Sequence, residues 1–236
     1  MLTLPDVALA ELVAAPLDFV WIDLEHGSLD ARDVQPLAIA ARAAGAAAFV
    51  RVPSLGCPRL ATILDAGVDG VVAPRVESAA QARALVSSLR HPPRGTRGFA
   101  ARRAAAYGRA SGGCGDPLCL VQIESAAGVE AAEQIAAVEG VAALVVGCAD
   151  LALDLDGSLV SSRLRDAIAQ VQRGAEEAGI ASGIAGPDDP DLLHDLAADS
   201  STLLVCSADV RLYAQAVDEL VERLRGAARE GLRVGA

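Results

Sequence analysis

The sequence contains no lysine, few aromatic residues and no paired cysteine motif. All 20 of its Lys and Arg residues are arginines, which excludes any mechanism in which a lysine amine forms an imine with a carbonyl substrate. Aromatic residues make up only 3% of the chain, so the core must be built from Ala, Val, Leu and Ile. The five cysteines are scattered without a C-x-x-C pair. This pattern fits neither a disulfide framework nor a zinc site and predicts reduced thiols.

Positive charge and long apolar runs are scarce as well. The net charge of -11 argues against binding to nucleic acid or to an anionic membrane, because phosphate affinity comes mainly from clustered basic side chains. No run approaches the ~18 apolar residues that a membrane-spanning helix needs, and no basic segment followed by an apolar stretch opens the chain. We therefore expect a cytoplasmic protein with a small-molecule partner, no nucleic acid and no membrane.

Short apolar runs alternate with longer Ala-, Leu- and Arg-rich segments, which is typical of repeated βα units around a buried parallel sheet. The 236 residues suit one (β/α)₈ barrel, which takes roughly 250. An open, doubly wound sheet has a similar periodicity. The strand candidates are residues 1–4, 19–24, 47–51, 70–74, 119–124, 142–147, 181–185 and 202–206. The prediction is an α/β protein with a single TIM barrel domain over residues 1–236 and a short first strand.

Two stretches interrupt this alternation, at residues 91–117 and 150–162. Each follows a strand or the helix after it, and we interpret both as long loops on the face where barrel enzymes build their sites. A last helix over about 210–226 is a candidate for contacts between subunits.

Carboxylates stand at the ends of two neighbouring predicted strands. Glu124 ends one, and Asp150 follows the next after a Gly-Cys-Ala turn. Converging carboxylates can hold a hard cation such as Mg²⁺ or Mn²⁺, with water and substrate completing the six oxygen ligands. The alternative is helix capping, since Ser125 and Asp150 are both plausible N-caps and acidic residues favour a first helical turn. Spacing alone leaves both readings open.

Other polar residues occupy the same predicted face. His26 follows a strand and can exchange protons near neutral pH, although it is equally a surface histidine. Arg51 follows a buried apolar run, so its guanidinium needs an anionic partner from the protein or a substrate. Gln122 alternates with Glu124 and should face the interior, where water, substrate or a neighbouring polar group would be its partner. The small residues 147–149 leave backbone N–H groups accessible to a substrate carboxylate.

Five motifs together resemble the HpcH/HpaI aldolase family. In chain order they are FVWIDLEHG, ILDAGVDGVVAPRVESAAQAR, HPPRGTRG, LVQIES and GVAALVVGCADLA, and the resemblance runs from about residue 5 to about residue 222. It implies a (β/α)₈ barrel and a class II pyruvate aldolase. Such an enzyme uses a divalent metal to form or cleave the bond between pyruvate and an aldehyde in 4-hydroxy-2-oxo acids.

The resemblance also assigns roles to individual residues. The family's metal ligands fall on Glu124 and Asp150, which favours the metal reading over the capping one, with Mg²⁺, Mn²⁺ or Co²⁺ as the cation. The catalytic histidine falls on His26, the enolate-stabilising arginine on Arg51 and the glutamine before the metal glutamate on Gln122. Gly147, Cys148 and Ala149 would bind the substrate carboxylate. No other cofactor is implied.

Asp65 matches an aspartate that orients the catalytic histidine in the family. It ends a predicted helix that enters a strand, so it should lie at the opposite end of its own barrel from His26. A contact between the two residues would most easily form across subunits. The resemblance accordingly implies a homo-oligomer, a trimer or hexamer.

Two other functions fit the same framework. A citrate-synthase-like or CoA-ester enzyme would use the same metal enolate and would need a basic patch for nucleotide phosphates. The dense arginine cluster available for it comprises Arg94, Arg97, Arg102, Arg103 and Arg109. A non-catalytic barrel would have lost a metal ligand or His26, and neither is lost.

Overall fold

A computed structural model describes residues 1–109, 115–197 and 201–234. Within these ranges seven parallel strands form one sheet in chain order. The strands are β1 Phe19–Asp23, β2 Ala47–Arg51, β3 Gly70–Ala73, β4 Leu118–Ile123, β5 Val141–Gly147, β6 Ala181–Ala185 and β7 Leu203–Val205. Their bounds differ from the predicted ones by at most one residue at either end. The structure thus confirms an α/β fold with a parallel sheet of the TIM-barrel kind.

Helices connect the strands and cover one face of the sheet. They are α1 Val7–Ala14, α2 Ala31–Ala43, α3 Leu60–Asp65, α4 Ala79–Leu89, α5 Ala126–Glu130, α6 Ala132–Ala136, α7 Cys148–Leu155, α8 Ser162–Glu177, α9 Pro190–Ala197 and α10 Asp209–Val234. The last helix is longer than the predicted 210–226. No helix in the described ranges is long and apolar enough to cross a lipid bilayer.

The predicted first strand at residues 1–4 is wrong as a strand. Only Leu2 pairs with the sheet, as an isolated parallel bridge to Ile22. The chain turns away immediately afterwards, since Pro5 has no N–H for a strand ladder and Asp6 caps α1 by accepting a hydrogen bond from the Leu9 N–H. The backbone of residues 1–2 nevertheless lies beside β1.

The predicted loop at residues 150–162 is also partly wrong, because Asp150 lies inside α7. This helix buries Leu151 and Ala152 against the core, and an acidic residue in its first turn favours the helix dipole. The other long connection, 91–117, is confirmed as irregular where it is described. It carries a short 3-10 turn at Arg103–Gly108, while residues 110–114 lie outside the described ranges.

Packing on the two faces of the sheet sets the position of the polar residues. The face away from the helices carries a small apolar cluster that includes Trp21, Phe49 and Leu120. Side chains alternate along a strand, so Asp23, Arg51 and Gln122 continue this same face toward the carboxyl ends of their strands. The interior of the sheet therefore changes from apolar to polar at that end.

Candidate active site

A buried ion pair connects the ends of the first two strands. Asp23 and Arg51 are register partners on β1 and β2, and Arg51 donates to both Asp23 carboxylate oxygens, from Nε at 2.8 Å and from Nη2 at 2.7 Å. Its remaining nitrogen, Nη1, lies 3.0 Å from Glu25 Oε2. The anionic partner that the sequence required for Arg51 is thus supplied by the protein itself.

His26 follows this ion pair on an exposed turn. The Asp23 carboxylate accepts a hydrogen bond from the backbone N–H of Glu25 at 3.1 Å. The His26 imidazole Nε2 lies 4.0 Å from Glu25 Oε2, and 68% of the His26 side chain is exposed. His26 and Arg51 line the same open cavity of about 420 Å³. The imidazole can therefore reach a molecule bound at the sheet end.

Glu124 and Gln122 meet at the end of β4. Both are buried, and Gln122 Nε2 donates to Glu124 Oε2 at 3.1 Å. The Gln122 Oε1 oxygen is buried and has no hydrogen-bond partner within the described residues. A buried amide oxygen without a partner is costly. It indicates a group that is satisfied only when something further binds there.

Several negative charges converge on Glu124. Burial is the main cause that raises the pKa of Glu124 from 4.5 to about 7; the charges of Glu25 and Asp150 also raise it, while the Arg75 backbone N–H and Arg51 lower it. Burial also raises the pKa of Glu25, while Arg51 and His26 lower it. Carboxylates that share a buried site without a cation disfavour one another's ionisation.

The turn after β5 presents the N-terminus of α7. Gly147 is the N-cap residue and makes no side-chain capping hydrogen bond, so the first N–H groups of the helix have no intrahelical acceptor. Cys148 is buried, and burial raises the pKa of its thiol to about 12, which keeps it neutral. Ala149 and Asp150 are exposed. Asp150 therefore does not cap this helix, whereas Ser125 does cap α5 by accepting from the Gly128 N–H at 3.2 Å.

These residues fit a divalent cation. No group of three or more His, Cys, Asp or Glu side chains in the described ranges is placed to hold a metal, so a cation here would have at most the two carboxylates Glu124 and Asp150 as protein ligands. Mg²⁺ commonly binds proteins through one or two carboxylates and keeps water or substrate oxygens as its other ligands. A cation would also remove the repulsion that contributes to the raised pKa of Glu124. The Gln122 amide that donates to Glu124 keeps its own oxygen unpartnered.

Asp65 lies away from this cluster. It is the last residue of α3, which leads into the amino end of β3, whereas His26 follows the carboxyl end of β1. Its nearest charged partner is Arg97, whose Nη2 lies 3.7 Å from Asp65 Oδ1. The structure thus agrees with the expectation that Asp65 cannot reach His26 of its own chain.

The arginine cluster of the 91–117 connection also turns toward the amino end of the sheet. Arg103 Nη1 donates to the carbonyls of Ala66 and Gly67, each at 2.9 Å, and Arg97 is buried beside Asp65. Arg94 pairs with Asp116 at 2.8 Å. Three of the five arginines are therefore held away from the mouth of the site.

Sequence reasoning noted Asp23 and Glu25 at a strand end but assigned them no role, and the structure shows that both hold Arg51. An aspartate that ends an otherwise apolar strand was a usable signal for this role, because a buried carboxylate needs a cationic partner. Arg75, whose backbone N–H lowers the pKa of Glu124, was not singled out, and no local sequence signal marks such a backbone contact.

Carboxylates, an arginine and a histidine at the carboxyl ends of parallel strands are typical of enzyme active sites in α/β folds. The chain belongs to the HpcH/HpaI aldolase/citrate lyase family, whose model matches residues 5–216. The predicted family and the predicted class, a pyruvate-type aldolase and hence a carbon–carbon lyase, are thereby confirmed.

Individual relatives support the same class. The chain is 34% identical over 215 residues to a 4-hydroxy-4-methyl-2-oxoglutarate aldolase of Chaetomium globosum, covering 86% of this chain and 80% of the relative. It is 35% identical over 239 residues to a hydroxypyruvate/pyruvate aldolase of Deinococcus radiodurans, covering 97% and 86%. The crystal structure of a family member from Burkholderia cenocepacia superimposes with a TM-score of 0.88 at 34% identity, covering 95% of this chain and 92% of that one.

The close approach of Gly147 to Glu124 and Gln122 gives a first prediction. A Cβ atom at this position would lie 2.6 Å from Glu124 Oε2 and 3.1 Å from Gln122 Nε2. Because these atoms end side chains, we expect Gly147→Ala to displace the carboxylate and to weaken divalent-metal binding by about 10–100-fold, at a folding cost of about 1–3 kcal/mol. Calorimetric titration with Mn²⁺ measures the affinity. Gly56→Ala is the control, since nothing lies within 4 Å of its Cβ position, and equal affinities for the two variants would contradict the prediction.

The raised pKa of Glu124 gives a second prediction, on stability. In the metal-free protein the ionised carboxylate opposes folding, and this penalty grows as the pH rises from 4.5 to about 7 and is complete above that range. We expect metal-free Glu124→Gln to unfold with a free energy about 1–3 kcal/mol higher than wild type at pH 8 and with no advantage below the lower pKa. Urea unfolding across this pH range tests it.

With saturating Mn²⁺ wild type should instead be more stable than Glu124→Gln, because the amide is a poor metal ligand and only wild type is stabilised by metal binding. Glu130→Gln on the exposed side of α5 should show neither effect. An apo Glu124→Gln protein that is less stable than wild type at pH 8 would contradict the pKa argument.

Proposed function

We propose that this chain is a divalent-metal-dependent aldolase that forms and cleaves the bond between a pyruvate-type enolate and an aldehyde, with 4-hydroxy-2-oxo acids as its substrates. The observation that carries the proposal is the cluster at the end of β4. There Glu124 and Gln122 are buried, the charges of Glu25 and Asp150 converge on Glu124, and Gln122 keeps an unpartnered oxygen. The chain's aldolase relatives support the reaction class.

Glu124 and Asp150 would hold the cation, with Mg²⁺, Mn²⁺ or Co²⁺ as candidates. When bound, a divalent cation supplies Lewis-acid polarisation of the keto group and stabilises the enolate at C3. The backbone N–H groups of residues 147–149, at the N-terminus of α7, would bind the substrate carboxylate. Gln122 would complete its hydrogen bonding with the bound substrate or a water.

Arg51 and His26 would act on the reacting oxygens. Arg51 is held rigidly by Asp23 and Glu25, so its positive charge is fixed before substrate arrives, which is the condition for electrostatic stabilisation of an oxyanion. His26, exposed to the shared cavity, would take the proton of the C4 hydroxyl, directly or through a water, as the carbon–carbon bond breaks.

A single closed barrel of eight strands would frame this site. The Met1 amino group donates to the Ser207 carbonyl at 2.9 Å, and the Asp209 N–H donates to the Met1 carbonyl at 2.9 Å. Leu2 meanwhile pairs with Ile22 of β1. This alternation of acceptor and donor is that of a parallel ladder, and it supports residues 1–2 as a short link that would close the sheet between the segment after β7 and β1.

A homo-oligomer, a trimer or hexamer, would complete the site by bringing Asp65 of one subunit to His26 of another. The long α10 supports association, because a helix that packs on its own barrel would not leave so many large apolar side chains exposed. The exposed ones are Val210, Leu212, Tyr213, Val217, Leu220 and Leu224. Cytoplasmic location stays a prediction; the described cysteines Cys57, Cys119, Cys148 and Cys206 are free thiols, as it requires.

Pyruvate release from a 4-hydroxy-2-oxo acid, measured with and without a chelator, tests the proposal. We expect release that chelator abolishes and Mg²⁺ or Mn²⁺ restores, and no cleavage of acyl-CoA esters. The second expectation rests on the arginines Arg94, Arg97 and Arg103, which are engaged at the other end of the sheet. Cleavage of acyl-CoA without pyruvate release would overturn the aldolase reading in favour of the CoA-ester one. Failure of both reactions, with no metal binding, would favour a non-catalytic barrel.

A further inference from the structure

Arg75 follows β3 at the carboxyl end of the sheet with a backbone conformation that arginine rarely adopts. Its φ is 49°, in the left-handed region that is unfavourable for residues with a Cβ atom. The backbone N–H of Arg75 lowers the pKa of Glu124, and the next residue, Val76, donates its N–H to the Gln122 carbonyl at 3.1 Å. Such strain at a functional site persists only where the surroundings hold it.

The Arg75 side chain reaches across the site to two acidic residues. Its Nε lies 3.3 Å from Glu77 Oε1, and its Nη2 lies 3.6 Å from Asp154 Oδ1. Asp154 stands four residues after Asp150 on α7, so the two carboxylates share one face of that helix. The guanidinium is therefore connected to the helix that carries one metal ligand.

The same two acidic residues hold the turn that follows the other metal ligand. Ser125 Oγ donates to Glu77 Oε1 at 2.8 Å, and the Ala126 N–H donates to Asp154 Oδ2 at 2.8 Å. Ser125 and Ala126 directly follow Glu124 in the chain. Glu77 and Asp154 thus each join the Arg75 guanidinium to the backbone or side chain beside Glu124.

We propose that Arg75 is a positioning residue that fixes the spacing between Glu124 and Asp150. Its guanidinium, through Asp154 and Glu77, connects α7 to the turn after Glu124. The proposal rests on the proposed function, because it assigns Arg75 to the metal ligands of that site. The ligand class concerned is a divalent cation with oxygen ligands.

The ion pairs of Arg75 with Glu77 and Asp154 can fix the positions of neighbouring groups while contributing little to the free energy of unfolding. The Arg75 side chain is 57% exposed, and Glu77 and Asp154 are about one-third exposed, so each ion pair is screened by water and contributes little to folding. Metal affinity, by contrast, depends on how well the ligands are oriented before the metal arrives, and losing an orienting partner typically weakens it about 10–100-fold. Loss of the Arg75 side chain should therefore lower metal affinity while leaving the free energy of unfolding nearly unchanged.

Mn²⁺ titration of the full-length protein without substrate tests the proposal. We expect Arg75→Ala to raise the Mn²⁺ dissociation constant about tenfold or more, with a metal-free unfolding midpoint close to that of wild type. Arg75→Lys keeps the charge and should recover most of the affinity. Asp154→Asn keeps an acceptor for the Ala126 N–H. It should weaken Mn²⁺ binding when introduced into the wild-type protein but cause little further loss when introduced into Arg75→Ala. The reason is that Arg75 and Asp154 form a single contact, so either substitution removes it.

Arg165→Ala is the matched control, since Arg165 forms an exposed ion pair with Asp195 on the far side of α8 and should leave the affinity within about twofold. An unchanged Mn²⁺ dissociation constant in Arg75→Ala would overturn the proposal, and so would a raised KM for the 2-oxo acid at unchanged metal affinity, which indicates substrate contact instead. A wild-type protein that binds no divalent metal would overturn both this proposal and the proposed function. Normal metal binding by wild type and by Arg75→Ala alike would overturn the Arg75 proposal alone.

Discussion

Replacing either metal ligand is expected to remove at least about 10³-fold of kcat/KM for cleavage of a 4-hydroxy-2-oxo acid. The proposed cation contributes several kcal/mol of charge stabilisation to the enolate-forming step, and about 4 kcal/mol corresponds to a thousandfold in rate. Glu124→Ala removes the buried proposed ligand directly after β4, and Asp150→Ala removes the exposed one on α7. Steady-state kinetics at saturating Mn²⁺ measures the loss for each variant.

The two variants should also be non-additive. Once one ligand is lost the cation is no longer held, so the double variant should be about as inactive as either single one. The control is Glu130→Ala, which should keep wild-type kinetics. Glu130 is an exposed carboxylate six residues after Glu124. Single variants that retain more than about a tenth of wild-type kcat/KM would show that the cation site lies elsewhere.

Arg51 is expected to carry the largest single effect on stability. Arg51→Met leaves Asp23 buried with its two strongest hydrogen bonds removed, and breaking a buried ion pair in this way costs about 3–5 kcal/mol. Arg51→Lys should recover only part of this, because an ammonium group cannot make the bidentate contact with Asp23 while also reaching Glu25. Urea unfolding at pH 7 measures both.

A second ion pair of the same type serves as the control. Arg42 makes a bidentate contact with Asp69, but both side chains are about one-third exposed, so Arg42→Met should cost about 1 kcal/mol or less. The double variant Arg51→Met with Asp23→Asn should be more stable than Arg51→Met alone, because it removes the uncompensated charge. An Arg51→Met protein as stable as Arg42→Met would contradict the account of the buried pair.

The strands were predictable because parallel strands buried on both faces read as continuous apolar runs. The run AAFVR at β2 and the run ASGIA at β6 were predicted with their observed bounds. The first strand was not, since a two-residue ladder contact at Met1 and Leu2 has no periodicity to detect. Helix α7 was missed because its sequence, CADLALDL, carries acidic residues that read equally well as a loop.

Residues of the candidate site were found where position in a strand determines exposure. Glu124 and Gln122 were predicted to face inward from alternation along their strand, and Arg51 from the buried apolar run that it follows; all three are buried. The contacts that hold these side chains in place were not predicted from the sequence. The Asp23–Arg51 contact depends on the register of β1 against β2, and the Arg75 contacts depend on a left-handed backbone and on how α7 packs. Neither the strand register nor the backbone conformation and helix packing around Arg75 can be predicted from local sequence.

Exchange of the pyruvate methyl protons in deuterated water tests the central claim most directly, because it reports enolate formation without any choice of aldehyde. We expect the wild-type protein to exchange these protons with Mg²⁺, Mn²⁺ or Co²⁺, to stop when the metal is chelated, and to resume when it is restored. Exchange that continues unchanged in chelator, or no exchange with any of the three metals, would contradict a metal-held enolate site at Glu124 and Asp150.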